Sequence, residues 1–471
     1  MINQNFINFI YLISAILFMM GLKKLSSPAT ARLGNKLSMA GMALAILATL
    51  MVPGLSFKLI ALGIVIGTVI GGWAAVKVEM TSMPEMVALF NGCGGAASAL
   101  VALSEFQLRG HEFGPAMVEH IGTFAMITLL LSVIIGGLTF TGSVIAYAKL
   151  QGIVSGQPIT YPGQQVVNGL ILIGTVVLSY MVFNDPANHL MFYGICLLSL
   201  VLGVLSVIPI GGADMPVVIS LLNSYSGLAV SMTGFALGNN ALIIVGSLVG
   251  ASGLFLTKIM CDAMNRSLSN VLFGAFGTGG GGGDDDGAAA GGAAEGSVKG
   301  YEVEDVVMVL ENASSLIIVP GYGMAAAQAQ HAVRELGDYL DEEGVEVRYA
   351  IHPVAGRMPG HMNVLLAEAD VSYDQLFSME DINDDFSGTD VVLVIGANDV
   401  VNPAAKTNPG SPIYGMPVLN VEEAQTVVVL KRSMKPGFAG IENELFLKDN
   451  TMMLFGDAKS SVQALVTHLK G

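Results

Sequence analysis

Ser314-Ser315-Leu316-Ile317-Ile318-Val319-Pro320-Gly321-Tyr322-Gly323-Met324-Ala325-Ala326 is the stretch on which the reading of the chain turns. Four large apolar residues in a row, bounded by serines and by Pro-Gly, predict a buried parallel strand. Gly321–Gly323 predicts a tight turn, and Met324 to about Tyr339 the first helix, whose N-terminus can hold a pyrophosphate. A lone GxGxxA is weak, but here it stands between a strand and a helix, the context the motif requires. Further strands are predicted at Val345–Ile351, Val391–Ile395, Thr426–Lys431 and Met452–Phe455, with a closing helix at Asp457–Leu469. Strands alternating with helices predict an α/β Rossmann-like domain with a mostly parallel sheet over residues 301–471.

Charge selects the nucleotide. An NAD site of the usual kind places an acid at the end of the second strand, to hold the ribose 2′-hydroxyl. This strand ends Tyr349-Ala350-Ile351-His352, without one. Lys431-Arg432-Ser433, at the end of a later strand, offers two cations and a hydroxyl suited to a 2′-phosphate. The sequence therefore favours NADP over NAD, against the blander reading of a solvated strand end.

Upstream the chain changes character. Residues 1–262 hold nine Lys/Arg and eight Asp/Glu, whereas residues 301–471 hold ten and 25, so nearly all of the net charge of −16 lies in the C-terminal part. That acidity excludes nucleic acid, which needs a basic stripe. Apolar runs long enough to cross about 30 Å of hydrocarbon occur near 6–22, 37–52, 58–76, 85–104, 122–148, 166–184, 189–208, 215–237 and 240–261. The expectation is a multi-pass α-helical membrane bundle of about nine spans. The first run is a span and not a signal peptide, because no basic region precedes it and Lys23-Lys24 follow it.

Loop charges orient the bundle. Lys23, Lys24, Arg32, Lys36, Lys77, Lys149, Lys258 and Arg266 share the side of the C-terminal domain, while Lys58 and Arg109 lie opposite. The positive-inside rule places the soluble domain in the cytoplasm. Between the two parts, Gly277–Gly300 is dominated by glycine, alanine and Asp284-Asp285-Asp286 and reads as a flexible tether, within a hinge at 263–300. Cys93, Cys196 and Cys261 lack metal-ligand spacing and read as small buried hydrophobes, so no metal is expected.

Small residues crowd the third and fourth spans (Gly63, Gly67, Gly71, Gly72; Gly92, Gly94, Gly95), which is helix-packing chemistry first. Polar residues within spans carry more, because hydrocarbon penalises them: Asn91, Ser143 and the run from Asp214 through Asn223 to Ser226. Interhelical bonding alone is one reading; a wet pathway is the other. No Lys, Arg, Asp, Glu or His stands in the middle of a span, since Glu85, Asp214, His120 and His189 all lie near ends. A proton path would have to borrow its titrating group.

Taken together, Gly211-Gly212-Ala213-Asp214-Met215-Pro216, Pro320-Gly321-Tyr322-Gly323-Met324-Ala325, the long run from Ile351 through His352, Arg357 and His361 to Ala369, and Ile395-Gly396-Ala397-Asn398-Asp399 resemble the β subunits of proton-translocating NAD(P) transhydrogenases. The resemblance covers nearly the whole chain, the hinge excepted. It implies NADP(H) on this chain, NAD(H) on an α subunit with its own membrane helices, direct hydride transfer between them, and a proton crossing the bacterial inner membrane. It implies Gly321, Tyr322, Gly323, Met324, Ala325 and Arg357 at the pyrophosphate, and Lys431, Arg432 and Ser433 at the 2′-phosphate. Asn398 and Asp399 would approach the nicotinamide and couple to the proton. Met434–Asn443, with Gly437, Phe438 and Ala439, would be a lid, hinged by Gly437 and Gly440. Asn91, Ser143, Asp214 and Asn223 would line the proton path, and αβ units would dimerise.

Two departures from that pattern stand out. Asn91 occupies a position where many relatives carry histidine, and an amide does not titrate near neutral pH. A histidine from an α helix facing Asn91 and Asn223 is the expected replacement. Phe438 stands where the family often has tyrosine, so the lid loses a phenolic contact. The alternative class is a membrane transporter or channel whose nucleotide domain senses redox state without turnover. Reduction of an NAD analogue by NADPH in the presence of the partner discriminates the two.

Overall fold

The computed structural model describes residues 4–52, 55–78, 82–156, 158–264, 267–273, 298–358, 360–411, 413–437 and 439–471. Most of the tether and Phe438 lie outside them. The chain divides into two compact units, the first made of Met1–Lys258 with Val271–Ala275 and the second of Ile259–Asn270 with Phe276–Gly471.

In the first, helices α1 (Gln4–Leu25), α2 (Pro28–Leu50), α3 (Phe57–Lys77), α4 (Met83–Phe113), α5 (Met117–Ile121), α6 (Thr123–Leu150), α7 (Gln164–Asn184), α8 (His189–Val207), α9 (Met215–Leu237) and α10 (Asn240–Ala263) follow one another. Nine helices among the described residues are long and apolar enough to cross a membrane. α2 begins nine residues before the predicted span, so Arg32 and Lys36 ride on it, and α4 carries Glu105 and Arg109 as an i,i+4 pair at 2.8 Å.

α9 is the most buried of these helices, packed against α4 and α6. Glycines make this approach close. A Cβ on Gly95 of α4 would lie 2.9 Å from the Gly136 carbonyl oxygen of α6, and a Cβ on Gly227 of α9 would lie 2.3 Å from the Gly250 nitrogen of α10. The third span differs: a Cβ on Gly63, Gly67, Gly71 or Gly72 would meet no atom within 4 Å among the described residues, so these glycines make no close helix contact within the described part of this chain.

After α11 (Leu268–Phe273), the second unit holds α12 (Val303–Glu311), β1 (Ser315–Pro320), α13 (Tyr322–Ala326), α14 (Gln330–Glu342), β2 (Glu346–Ile351), α15 (His361–Glu368), β3 (Leu376–Ser378), α16 (Met379–Ile382), β4 (Val391–Ile395), α17 (Ala404–Thr407), β5 (Thr426–Lys431), β6 (Thr451–Phe455) and α18 (Ala458–Lys470). Its six strands are ordered β3-β2-β1-β4-β5-β6 and every neighbouring pair is parallel. The order in which successive strands are added reverses between β1 and β4, where open α/β sheets bind ligands beyond the strands' carboxyl ends. Strand residues are buried on both faces, which explains why the sequence shows continuous apolar runs and no alternation.

Two expectations need correction. The predicted helix from Met324 to Tyr339 is two helices. Gln328 adopts φ +50°, and the Ala329 N–H donates to the Met324 carbonyl at 3.0 Å, closing α13 after five residues. The Ala-Ala-Gln-Ala composition contains no glycine or proline to signal that break. β3, only three residues long, gave no periodicity to read. At the end of the tether, Gly300 pairs with Met453 beside β6.

Candidate nucleotide site and membrane polar cluster

The loops leaving β1, β2, β4 and β5 meet at the carboxyl edge of the sheet. The first and third are pressed together by glycine. The N–H of Gly321 donates to the Ile395 carbonyl and that of Gly323 to the Gly396 carbonyl, both at 2.9 Å. A Cβ on Gly323 would lie 2.6 Å from Gly396 Cα, and one on Gly396, whose φ is +64°, would lie 2.3 Å from Gly323 Cα. Two of the amides expected to face a phosphate are thus occupied by the neighbouring loop, and Tyr322, Met324 and Ala325 open a helix of a single turn and a little more.

The β2 loop is held by two buried histidines. His352 accepts the Val354 N–H at Nδ1 (3.2 Å), so its proton sits on Nε2 and is donated to the Pro417 carbonyl at 2.8 Å. His361 accepts the Arg357 N–H at Nδ1 (3.1 Å), which leaves the proton on Nε2, buried and without a hydrogen-bond partner among the described residues. Burial, joined at His361 by the nearby Arg357 guanidinium, pushes both imidazoles down to about 4, so both are neutral at physiological pH. Arg357, whose backbone His361 fixes, lays its guanidinium over the Tyr322 ring at 4.4 Å. That contact joins the β2 loop to the β1 loop.

On the other side, Asp399 accepts the Ala439 N–H at Oδ2 (2.9 Å). A Cβ on Gly437 would lie 2.6 Å from Asp399 Oδ1 and 2.9 Å from Asn398 Nδ2, so only glycine fits there without displacing these groups. Asn398 Nδ2 is buried and has no hydrogen-bond partner among the described residues. Lys431 donates to the Lys435 carbonyl and lies 5.7 Å from the Phe446 ring centre. Partial burial lowers its ammonium below the ordinary range while the Asp399 charge acts the other way. Arg432 and Ser433 are exposed. Gly321, Tyr322, Gly323, Arg357, Asn398, Asp399, Lys431, Arg432, Ser433, Gly437 and Ala439 therefore all fall on one edge; Phe438 lies outside the described residues.

In the first unit Asn91 of α4 donates from Nδ2 to Ser143 Oγ of α6 at 2.9 Å and accepts Ser226 Oγ of α9 at Oδ1 at 2.7 Å. Its partner on α9 is Ser226, one helical turn beyond the half-buried Asn223. Elsewhere between α6 and α9, Ser132 and Thr233 pair at 2.7 Å. Asp214 occupies the N-cap position of α9. Lys149, counted above as a loop charge, is buried and donates from Nζ to the Ile208 and Ile210 carbonyls at 2.6 and 2.7 Å, tying down the turn that leads to Asp214. Sequence reasoning missed that role because its partners are backbone atoms. No group of three or more His, Cys, Asp or Glu that could hold a metal occurs among the described residues.

Comparison with known proteins places this arrangement. The family model described as NAD(P) transhydrogenase beta subunit matches residues 7–468. Two matched relatives, both described as NAD(P) transhydrogenase subunit beta and both from Rhodospirillum rubrum, are each 53% identical over 457 residues, 97% of this chain and 97% of the relative. A parallel nucleotide-type sheet and, among the described residues, nine membrane-length helices, matched at that identity over nearly the whole chain, make the chain a member of the NAD(P) transhydrogenase beta subunit family.

Proposed function

We propose that this chain binds NADP(H) at the carboxyl edge of its sheet and exchanges hydride with NAD(H) held by an α partner, coupled to proton movement through the helix bundle. The observation that carries the reading is Lys431-Arg432-Ser433 leaving β5 beside the Asp399 loop. Two cations and a hydroxyl suit a 2′-phosphate, and the end of β2 offers His352 where an NAD site would have an acid. The buried Asn398 donor, without a partner among the described residues, is consistent with a polar ligand group at that edge.

Lys431, Arg432 and Ser433 would hold the 2′-phosphate; Arg357, with Gly321, Tyr322, Gly323, Met324 and Ala325, would border the pyrophosphate. Asn398 and Asp399 would face the nicotinamide side, and Gly437, Phe438 and Ala439 would cover it. NADP(H) bound there supplies or receives the hydride. The chain's own part is to orient and to exclude water, with no side chain needed as acid or base in that step. Asp399, which grips the Ala439 amide, is the coupling residue. Asn91, Ser143, Asp214 and Asn223 line the proton path, with Ser226 added by its bond to Asn91, and the α partner contributes the titrating histidine.

On this reading residues 1–262 form the translocation domain, 263–300 the hinge and 301–471 the nucleotide domain. The protein sits in the lipid of a bacterial inner membrane with that domain in the cytoplasm, and αβ units pair as dimers. The distribution of cations near the span ends, seven against two once the buried Lys149 is set aside, supports the orientation. The test is reconstitution of the chain with its α partner in liposomes carrying a pH-sensitive dye. NADPH should reduce an NAD analogue while the lumen changes pH. Binding of NADPH with no reduction would replace this reading with the redox-sensing transporter.

A further inference from the structure

Two buried asparagines stand where the lid returns to the domain body. Asn402, fully buried, follows the short turn Asp399–Val401. Its Oδ1 accepts the Ala404 N–H at 3.0 Å, and its Nδ2 reaches across to donate to the Glu442 carbonyl at 3.0 Å. Asn443, 4% exposed, mirrors it from the other side. Its Oδ1 accepts the Leu445 N–H at 3.0 Å, and its Nδ2 donates to the Asn398 carbonyl at 3.0 Å and to Asn398 Oδ1 at 3.1 Å.

Each side chain thus uses its oxygen to cap its own turn and its NH2 group to hold the opposite loop. The bond to Oδ1 also sets the Asn398 carboxamide, so that Nδ2 is the end left for other use. Upstream, the Ala439 amide is gripped by Asp399. Every one of these ties ends on the loop 398–402, the same loop that carries Asp399. Buried side-chain-to-backbone bonds of this kind are costly to leave half made, so the two segments move as one or part as one.

We propose that Asn402 and Asn443 are positioning residues forming a reciprocal clasp between residues 398–402 and the lid's downstream end, and that this clasp sets how fast NADP(H) leaves. The proposal rests on the reading of the carboxyl edge as an NADP(H) site. It assigns the coupling of Asp399 to the lid partly to two amides that touch neither nucleotide nor proton.

Asn402→Asp and Asn443→Asp test it, because each keeps the capping oxygen and puts in place of the crossing NH2 donor a carboxylate oxygen, which when ionised repels the carbonyl it faces. Asn443→Ser, which also keeps a short capping acceptor but lacks the reach, guards against misfolding of the aspartate variants. With the full chain in detergent, NADPH release followed by its fluorescence should quicken about tenfold for each variant, with preference for NADPH over NADH retained. Amide hydrogen exchange without nucleotide should rise across 434–443 and stay unchanged in β1, β4 and β5. Release and exchange at unaltered values would overturn the clasp, and so would exchange that rises throughout the sheet, which marks a general structural role. If the unaltered chain fails to bind NADPH, the functional reading falls, while the nucleotide-free exchange still decides the clasp.

Discussion

At the scale of single residues, charge and protonation make separable claims. Arg432 is exposed and its proposed partner is a phosphate, so Arg432→Ala should weaken NADPH binding about tenfold or more, the loss of one charge-assisted pair, and leave NADH binding unchanged. Titration of both nucleotides by fluorescence checks this; equal loss for the two would remove Arg432 from the 2′-phosphate. His352 and His361 bear on stability. Their native values near 4 lie below the 6.5 of an unfolded histidine, so between these limits the unfolded chain binds more protons. Their stabilisation is complete above pH 6.5 and drains away as pH falls towards 4, by on the order of 3 kcal/mol per histidine. Urea unfolding of the nucleotide unit, monitored in the full chain between pH 7 and 4.5, should show this slope. A His352→Gln, His361→Gln double variant should flatten it.

At the scale of elements, the β1 and β4 turns are a single packed object. Gly396→Ala would put a Cβ against the Gly323 backbone at a residue of positive φ, neither of which a rotamer change relieves. It should destabilise the nucleotide unit by about 2–4 kcal/mol. Gly388→Ala, facing open space, should move it by less than about 0.5 kcal/mol; similar shifts for both would mean that the contact does not constrain the turns. The same pair shows what a sequence discloses. The strand cores Leu316–Val319 and Val391–Ile395 were legible because burial on both faces leaves only apolar residues, and the glycine turn because no other residue fits. The break at Gln328 was not, since the hydrogen bonds that end α13 are backbone bonds any sequence can make. The candidate site divides likewise: charged Lys431 and Arg432 announce themselves, whereas Asn402 and Asn443 take their meaning from carbonyls about 40 residues away in the chain.

At the scale of the whole molecule, the proposed function raises the question of how a bundle with an amide in its polar cluster would pass a proton. Asn91 links α4, α6 and α9 through Ser143 and Ser226, with its carboxamide donating to one hydroxyl and accepting from the other. Such a group can relay through hydroxyls and water but cannot store a proton near neutral pH. Asn91→Leu removes the relay at similar size, and the two serines it abandons can turn to carbonyls of their own helices, as Thr139 and Thr175 already do. The bundle should therefore survive. Proton pumping by the reconstituted αβ enzyme should fall at least tenfold, while NADPH binding to the nucleotide unit is unchanged. Undiminished pumping would place the path elsewhere in the bundle. A partner stripped of intramembrane histidine supplies the complementary arm: if pumping persists with it, the borrowed titrating group is lost as an idea, and a path built wholly from Asn91, the hydroxyls and water would have to carry the proton alone.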